Sequence, residues 1–237
     1  MSISLLRIAW IYPDLLSTYG DRGNMLVLAH RAEARRILTE TIMVRSDQSV
    51  PRDADIYLVG GGEDGPQALA AEKLIGDRAI MHAADAGKVI FSVCAGYQIM
   101  GTSFIAAGQE HAGLGLLDMR SDRAQQRAIG ELAGEVDPEL GLETLTGFEN
   151  HGGHTHLGPQ CRPLVPRVTH GVGNDGTSEG AWQGKVIGTY LHGPALARNP
   201  QLADLLLTWA TGTALEAFDD TWTGKLRAER FAALAGQ

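Results

Sequence analysis

The chain has 237 residues, 44% of them hydrophobic, enough to bury a full core as one large α/β domain or two small ones. A net charge of −8 argues against a phosphate backbone, and so against nucleic acid, as the main partner. No apolar run reaches the roughly 18 residues needed to span a bilayer. The opening MSISLLRIAWIYPDLLS lacks a leader pattern, and only Cys94 and Cys161 are present. The expectation is a protein of a reducing, cytoplasmic compartment with no membrane insertion.

Residues 5–11 read as a first strand, followed by the turn-rich PDLLSTYGDRGN. Residues 25–38 place apolar side chains at helical spacing with Arg and Glu on the other face. Residues 41–44 and 55–59 (DIYLV) read as strands, the second ending in Gly60, Gly61 and Gly62. Residues 66–74 and 78–86 read as helices, with Gly87 where a C-cap glycine belongs. Residues 89–93 form the next strand, and Tyr97 starts another helix. Strands alternating with helices predict a mostly parallel sheet covered on both faces.

Beyond Gly113, residues 114–120, 128–135, 146–149 and 185–190 are short strand candidates between Gly-rich turns. Residues 151–180 read as a functional loop with a hairpin. Residues 199–211 predict a helix capped by Asn199, with Pro200 at its first position and Leu202, Leu205, Leu206 and Trp209 in one stripe. The tail has weak amphipathic character, which predicts a loosely docked helix in residues 213–237 beside a single domain of residues 1–212.

The stretch KVIFSVCAGYQIMG places Cys94 where a strand turns directly into a helix. Chemistry in a parallel α/β sheet sits outside the carboxyl ends of the strands, and such a corner exposes its side chain like the nucleophile elbow of hydrolases. Ala95 and Gly96 let the turn close, and the free N–H groups of the next helix favour a reactive thiolate. Against this stands the bland reading, that Cys is simply a good buried residue. His192, in GTYLHGP, also lies at a strand exit, so one sheet brings it to Cys94 as a base. His30, His82 and His111 read as surface residues. His151, His154 and His156 (NHGGHTH) raise a metal hypothesis, but no acidic or cysteine ligand completes a familiar spacing, and a substrate loop is the stronger reading. The glycines at 60–62 and the N–H of Ala95 are candidate oxyanion donors.

Taken together, LVGGGEDG, VCAGYQIMG, GFENHGGHT and GTYLHGP resemble the class I glutamine amidotransferases of the Cys–His type. Within them the match is to the cobyric-acid-synthase-like branch, and there to the GatD family, the glutaminase subunits of lipid II isoglutaminyl synthase. The resemblance runs from IYPDLLSTYGDRGN to HGPALARNP. It implies a flavodoxin-like fold with a mostly parallel central sheet flanked by helices and a small antiparallel extension. It also implies that Cys94 is the nucleophile on L-glutamine, His192 the base and then the acid, and Gly62 and Ala95 the oxyanion donors. Arg127 matches the family's glutamine-binding arginine, whose fork suits the free α-carboxylate; without the resemblance it reads as a solvated strand-edge residue. Gln98 matches a motif position that faces either the core or the substrate, and Asn150 and His151 fall in the family's loop near the site.

In one respect the chain departs from most class I enzymes, which carry a glutamate two residues after the histidine; here Pro194 stands there. The expectation is that a partner supplies the missing carboxylate in trans, with Glu63, Asp64 and Glu149 as internal alternatives. The implied partner is a Mur-ligase-like synthetase of the MurT type, in a heterodimer, which binds ATP and Mg and reaches lipid II. The absence of a G-x-x-x-x-G-K-[ST] loop here fits that division, with no cofactor expected on this chain. Rival readings are a glutaminase for another acceptor such as a corrinoid carboxylate, whose enzymes usually fuse both activities in a longer chain; a non-catalytic binding module; and a cysteine hydrolase on the same sheet.

Overall fold

In the computed structural model, which describes residues 5–18 and 20–235, strand β1 (Leu6–Ile11) leads through a turn into helix α1 (Arg22–Glu33). Residues 1–4 of the leader reading, Tyr19 of the loop quoted above and residues 236–237 of the tail lie outside the described residues. Strands β2 (Thr39–Val44) and β3 (Ile56–Val59) follow, and helices α2 (Asp64–Asp77) and α3 (Ala79–Asp85) return the chain to β4 (Val89–Val93). That strand passes through Cys94 into helix α4 (Ala95–Met100). Then come the hairpin β5 (Ser103–Ala106) and β6 (Gln109–Ala112), the long strands β7 (Met119–Glu135) and β8 (Leu145–Leu157), and the short β9 (Arg167–His170). Strands β10 (Ala181–Gln183) and β11 (Val186–Thr189) precede helices α5 (Ala195–Arg198), α6 (Pro200–Thr211) and α7 (Thr221–Ala235).

Among the described residues, six strands make the main sheet in the order β10-β11-β4-β3-β1-β2, parallel except for the edge pair β10–β11. Strands β3, β4 and β11 are buried along their whole length, as strands covered on both faces must be. Their carboxyl ends lie side by side, which sets the triple glycine, Cys94 and His192 at one edge of the core. The expected small extension is a sheet in its own right, β6-β5-β7-β8 with β9 paired to β7.

Several sequence expectations are corrected here. Residues 151–157 are not loop but the second half of β8, which pairs with β7 over nearly its full length. The β5–β6 hairpin was not expected, because its turn, Ala107–Gly108, has positive φ at both positions (50° and 76°) with Ala where Asn or Asp would give the usual signal. Asn199 does not cap α6 with its side chain. It accepts from the Thr146 N–H (3.0 Å) and donates to the Thr146 carbonyl (2.7 Å) and the Ala195 carbonyl (2.8 Å), tying β8 to α5. The tail meets the body through Asp220, whose carboxylate pairs with Arg31 at 2.7 Å, and through Phe218, whose ring faces the Arg31 and Arg35 guanidiniums at 4.8 and 5.1 Å. No helix of the described residues is long and apolar enough to cross a membrane.

Beneath β11 lies Glu179, fully buried, accepting from the Thr189 hydroxyl and from the Tyr190 N–H at 3.0 Å. Burial outweighs these hydrogen bonds and pushes its carboxyl up to about 7. Below about pH 4.5 the group is neutral in both folded and unfolded chains. Between 4.5 and 7 the unfolded chain ionises first, so folding stability falls as pH rises through that window. Glu179→Gln should remove this slope, worth on the order of 1–3 kcal/mol. Thermal melts at pH 5 and 7.5 test it: an equal loss in wild type and variant would overturn the assignment.

Candidate active site

Cys94 holds a backbone conformation of φ 54°, ψ −109°, which a non-glycine residue rarely adopts. Two hydrogen bonds fasten this corner to the strands on either side. The Cys94 N–H donates to the Thr189 carbonyl at the end of β11 (2.8 Å), and the Gly96 N–H to the Gly60 carbonyl just beyond β3 (3.1 Å). Position 96 admits only glycine: a Cβ there would lie 2.6 Å from the Val59 carbonyl oxygen and 2.7 Å from that of Gly60.

His192 is locked to the second sheet, its backbone N–H donating to the Phe148 carbonyl (2.8 Å) and its carbonyl accepting from the Phe148 N–H (3.1 Å). Its ring adjoins the Cys94 side chain across Gly61, and its Nδ1 lies 3.5 Å from Asp21 Oδ1. At that length the Asp21 contact is an ion pair rather than a tight hydrogen bond, and such contacts commonly shorten when substrate binds. Both side chains are buried. Burial pushes the imidazolium down, but the neighbouring Asp21 and Cys94 outweigh it, bringing His192 up to about 9.

Asp21 is the residue that sequence reasoning missed, and it offers His192 a carboxylate from within the chain where the expectation had one supplied in trans. It sits just before α1, far from His192 in sequence, with no fixed spacing to betray it. Its Oδ2 also accepts the Gly61 N–H at 2.5 Å, so Gly61 is engaged in holding the acid. The internal alternatives are occupied elsewhere or lie outside reach of the ring. Glu149 pairs with His151 (3.2 Å) and accepts from the N–H groups of Val172 and Gly173; Asp64 accepts from the Ala107 N–H (2.7 Å); Glu63 lines the pocket mouth.

The pocket over Cys94 is lined by Gly62, Ala95 and Gln98 at its base. Ala95 opens helix α4, where an N–H has no partner within the helix, and Gly62 follows the engaged Gly61 in the pocket lining, so both expected oxyanion donors border the same pocket as Cys94. Gln98 is held beneath the corner: Gln67 donates to its Oε1 (2.7 Å), and its Nε2 donates to the Tyr190 hydroxyl (3.0 Å). Tyr190 in turn stacks on His151, ring centroids 3.6 Å apart.

The register of β7 against β8 breaks between Arg123 and Ala128. Such a break re-aims side chains, and both Arg123 and Arg127 line the pocket. Arg127 donates through Nε to Asn150 Oδ1 (2.6 Å) and through Nη2 to the Asn150 carbonyl (3.3 Å). Arg123, which the sequence did not single out, lies 3.7 Å from Asp64. The three histidines of NHGGHTH do not form one cluster: His154 and His156 meet edge to face with ring centroids 4.7 Å apart, and His156 pairs with Asp122 at 2.9 Å, while His151 is buried against Tyr190. Among the described residues no group of three or more His, Cys, Asp or Glu is placed to hold a metal. Cys161 is buried elsewhere, and burial, with the Asp118 charge adding, pushes its thiol up to about 12.

The His192 imidazole should therefore titrate near pH 9 in an NMR pH series, and Asp21→Asn should lower that midpoint by about a unit or more. An unchanged midpoint would remove Asp21 from the site.

The CobB/CobQ-like glutamine amidotransferase domain matches residues 7–200. The GatD subunit of the glutamine-hydrolysing lipid II isoglutaminyl synthase of Staphylococcus aureus (strain N315) is 35% identical over 207 residues, covering 85% of this chain and 83% of that one. Its counterpart from Streptococcus pneumoniae (strain ATCC BAA-255 / R6) is 35% identical over 211 residues, covering 86% and 80%. A glutamine amidotransferase of known crystal structure superposes with a TM-score of 0.58 at 21% identity, covering 86% of this chain and 99% of that one, a likeness of fold. The chain belongs to the CobB/CobQ-like family of glutamine amidotransferases.

Proposed function

We propose that this chain hydrolyses L-glutamine at Cys94 and delivers the ammonia to a separate synthetase. The observation that carries the reading is the meeting of Cys94, His192 and Asp21 beside a pocket lined by Gly62 and Ala95. The Cys94 thiolate attacks the side-chain amide carbon, and the carbonyl oxygen becomes an oxyanion received by those two amides. The His192 imidazolium gives its proton to the departing nitrogen as the C–N bond breaks, leaving ammonia and a thioester. His192 then takes a proton from water, which attacks the thioester; glutamate leaves and the thiolate is restored. Asp21 keeps the ring oriented and favours its charged form.

Arg127 pairs the substrate's α-carboxylate, and Glu63 and Asp64 at the same mouth suit its α-ammonium. Gln98 shapes the floor. Similarity to the GatD subunits supports one acceptor reaction: a Mur-ligase-like synthetase of the MurT type, which binds ATP and Mg, amidates the D-glutamate α-carboxyl of lipid II to D-isoglutamine. The two chains form a cytoplasmic heterodimer that meets lipid II through the synthetase. With Asp21 in this chain, the hydrolytic half needs no acid from that partner.

Cys94→Ala should abolish glutamine hydrolysis without unfolding the chain, and 6-diazo-5-oxo-norleucine should label Cys94 and spare Cys161. Turnover by the alanine variant, or label on Cys161 alone, would refute the mechanism. Reconstitution with a MurT-type synthetase, ATP and lipid II should yield amidated lipid II; glutaminase activity without amidation would point to another acceptor.

Arg127→Ala should lower kcat/KM for glutamine roughly 30- to 150-fold, the loss of a charge-assisted bond of about 2–3 kcal/mol. Arg127→Lys should recover little, since a point charge does not reproduce a planar fork. Steady-state kinetics decide it; an unchanged kcat/KM in the alanine variant would assign the carboxylate to another group.

A further inference from the structure

Past residue 200, where the family match ends, helix α7 returns to the body and buries one cation. Arg227 is 7% exposed. Its Nη1 donates to the Arg198 carbonyl (2.7 Å) and to Asn199 Oδ1 (3.0 Å), and its Nη2 donates to the Thr144 carbonyl (2.8 Å). The closest carboxylate in an ion pair with it is Glu143, at 3.9 Å with its side chain largely exposed. Fastening a surface helix by apolar contact would avoid the desolvation cost of a buried guanidinium held by neutral oxygens. The placement therefore calls for a reason in what those oxygens belong to.

All three belong to segments that hold His192. Thr144 directly precedes β8, whose Phe148 exchanges both backbone hydrogen bonds with His192. Arg198 and Asn199 close helix α5, which begins three residues after His192. The Asn199 side chain joins the two segments through Thr146 and Ala195. A loop of contacts thus runs from His192 through Phe148 and Thr146 to Asn199, and back through α5. Arg227 bridges the two sides of that loop from outside.

We infer that Arg227 is a positioning residue for His192, clamping β8 to α5 so that the ring keeps its place between Cys94 and Asp21. The inference rests on the proposed role of His192 as the base. It gives helix α7 a part in hydrolysis although the helix lines no wall of the Cys94 pocket. The remaining contacts of the tail, Asp220 and Phe218 with Arg31 and Arg35, lie away from the clamp and keep the tail docked when Arg227 is replaced.

The test compares Arg227→Ala, Arg227→Lys and Asp220→Ala in the full chain. Arg227→Ala should lower kcat for glutamine hydrolysis about 10- to 100-fold with KM within twofold, because the glutamine-binding wall is untouched. Arg227→Lys, which reaches one of the carbonyls, should recover part of the loss and serves if the alanine variant does not fold. Asp220→Ala, which loosens the tail without touching the clamp, should leave kcat within about twofold. An NMR titration supplies the readout that a merely structural role would not move: the His192 midpoint should fall by about a unit in Arg227→Ala and stay put in Asp220→Ala. A folded Arg227→Ala or Arg227→Lys protein with wild-type kcat and an unmoved midpoint overturns the inference, as does an equal kcat loss in Asp220→Ala. If the wild-type chain does not hydrolyse glutamine, the proposed function fails, while the titration still judges the clamp.

Discussion

Everything at this site depends on one backbone constraint, the forced turn at Cys94. A residue held at φ 54° costs on the order of 1–3 kcal/mol, and the fold holds it there by fastening the turn to the strands on both sides. The Thr189 carbonyl takes one N–H and the Gly60 carbonyl takes the other. Because β3, β4 and β11 are buried throughout, their ends cannot drift apart without exposing the core. The same rows that bury apolar surface therefore fix the separation between nucleophile, base and glycine turn.

The second sheet is the other half of the site. Its strand β8 holds the His192 backbone through Phe148, while the register break in β7 turns Arg123 and Arg127 toward the pocket. Cys94 and Asp21 come from the parallel sheet side, and the two arginines of the pocket come from the antiparallel one. The Gln98–Tyr190–Thr155 chain of hydrogen bonds, at 3.0 and 2.8 Å, crosses between them in a buried region. Movement of one sheet against the other would break it and leave buried polar groups unsatisfied.

The strand ending at Cys94 was legible because its apolar run and its small residues after the cysteine are local signals. The mostly parallel sheet followed from strands alternating with helices, and the meeting of Cys94 with His192 from strand ends in one sheet, but the strand order itself was not legible. What was not legible has a common physical cause. Asp21 reaches His192 only through the fold, and no spacing along the chain marks it. Residues 151–157 look like loop because glycines and histidines fill them, yet a long ladder with β7 overrides that composition. Asn199 has the chemistry of a cap and sits at the right position, but a tertiary partner at Thr146 competes for its side chain. Arg123 and Arg127 look alike in sequence, and only the register break shows that both are turned the same way.

The pocket mouth sets Glu63 and Asp64 against Arg123 and Arg127. A free amino acid carries no net charge, so the field of a protein at −8 neither gathers nor repels it as a whole. Beyond a Debye length of about 8 Å the opposed charges of the mouth largely cancel. On the proposed reading, capture is then a matter of alignment at close range, the ammonium end toward the acids and the carboxylate toward the arginines. Encounter of this kind is nearly indifferent to ionic strength. An analogue stripped of its ammonium is a net anion and meets repulsion both from the overall field and from the two acids, so under the proposed function the mouth would discriminate between free amino acids and simple carboxylates before any chemistry begins.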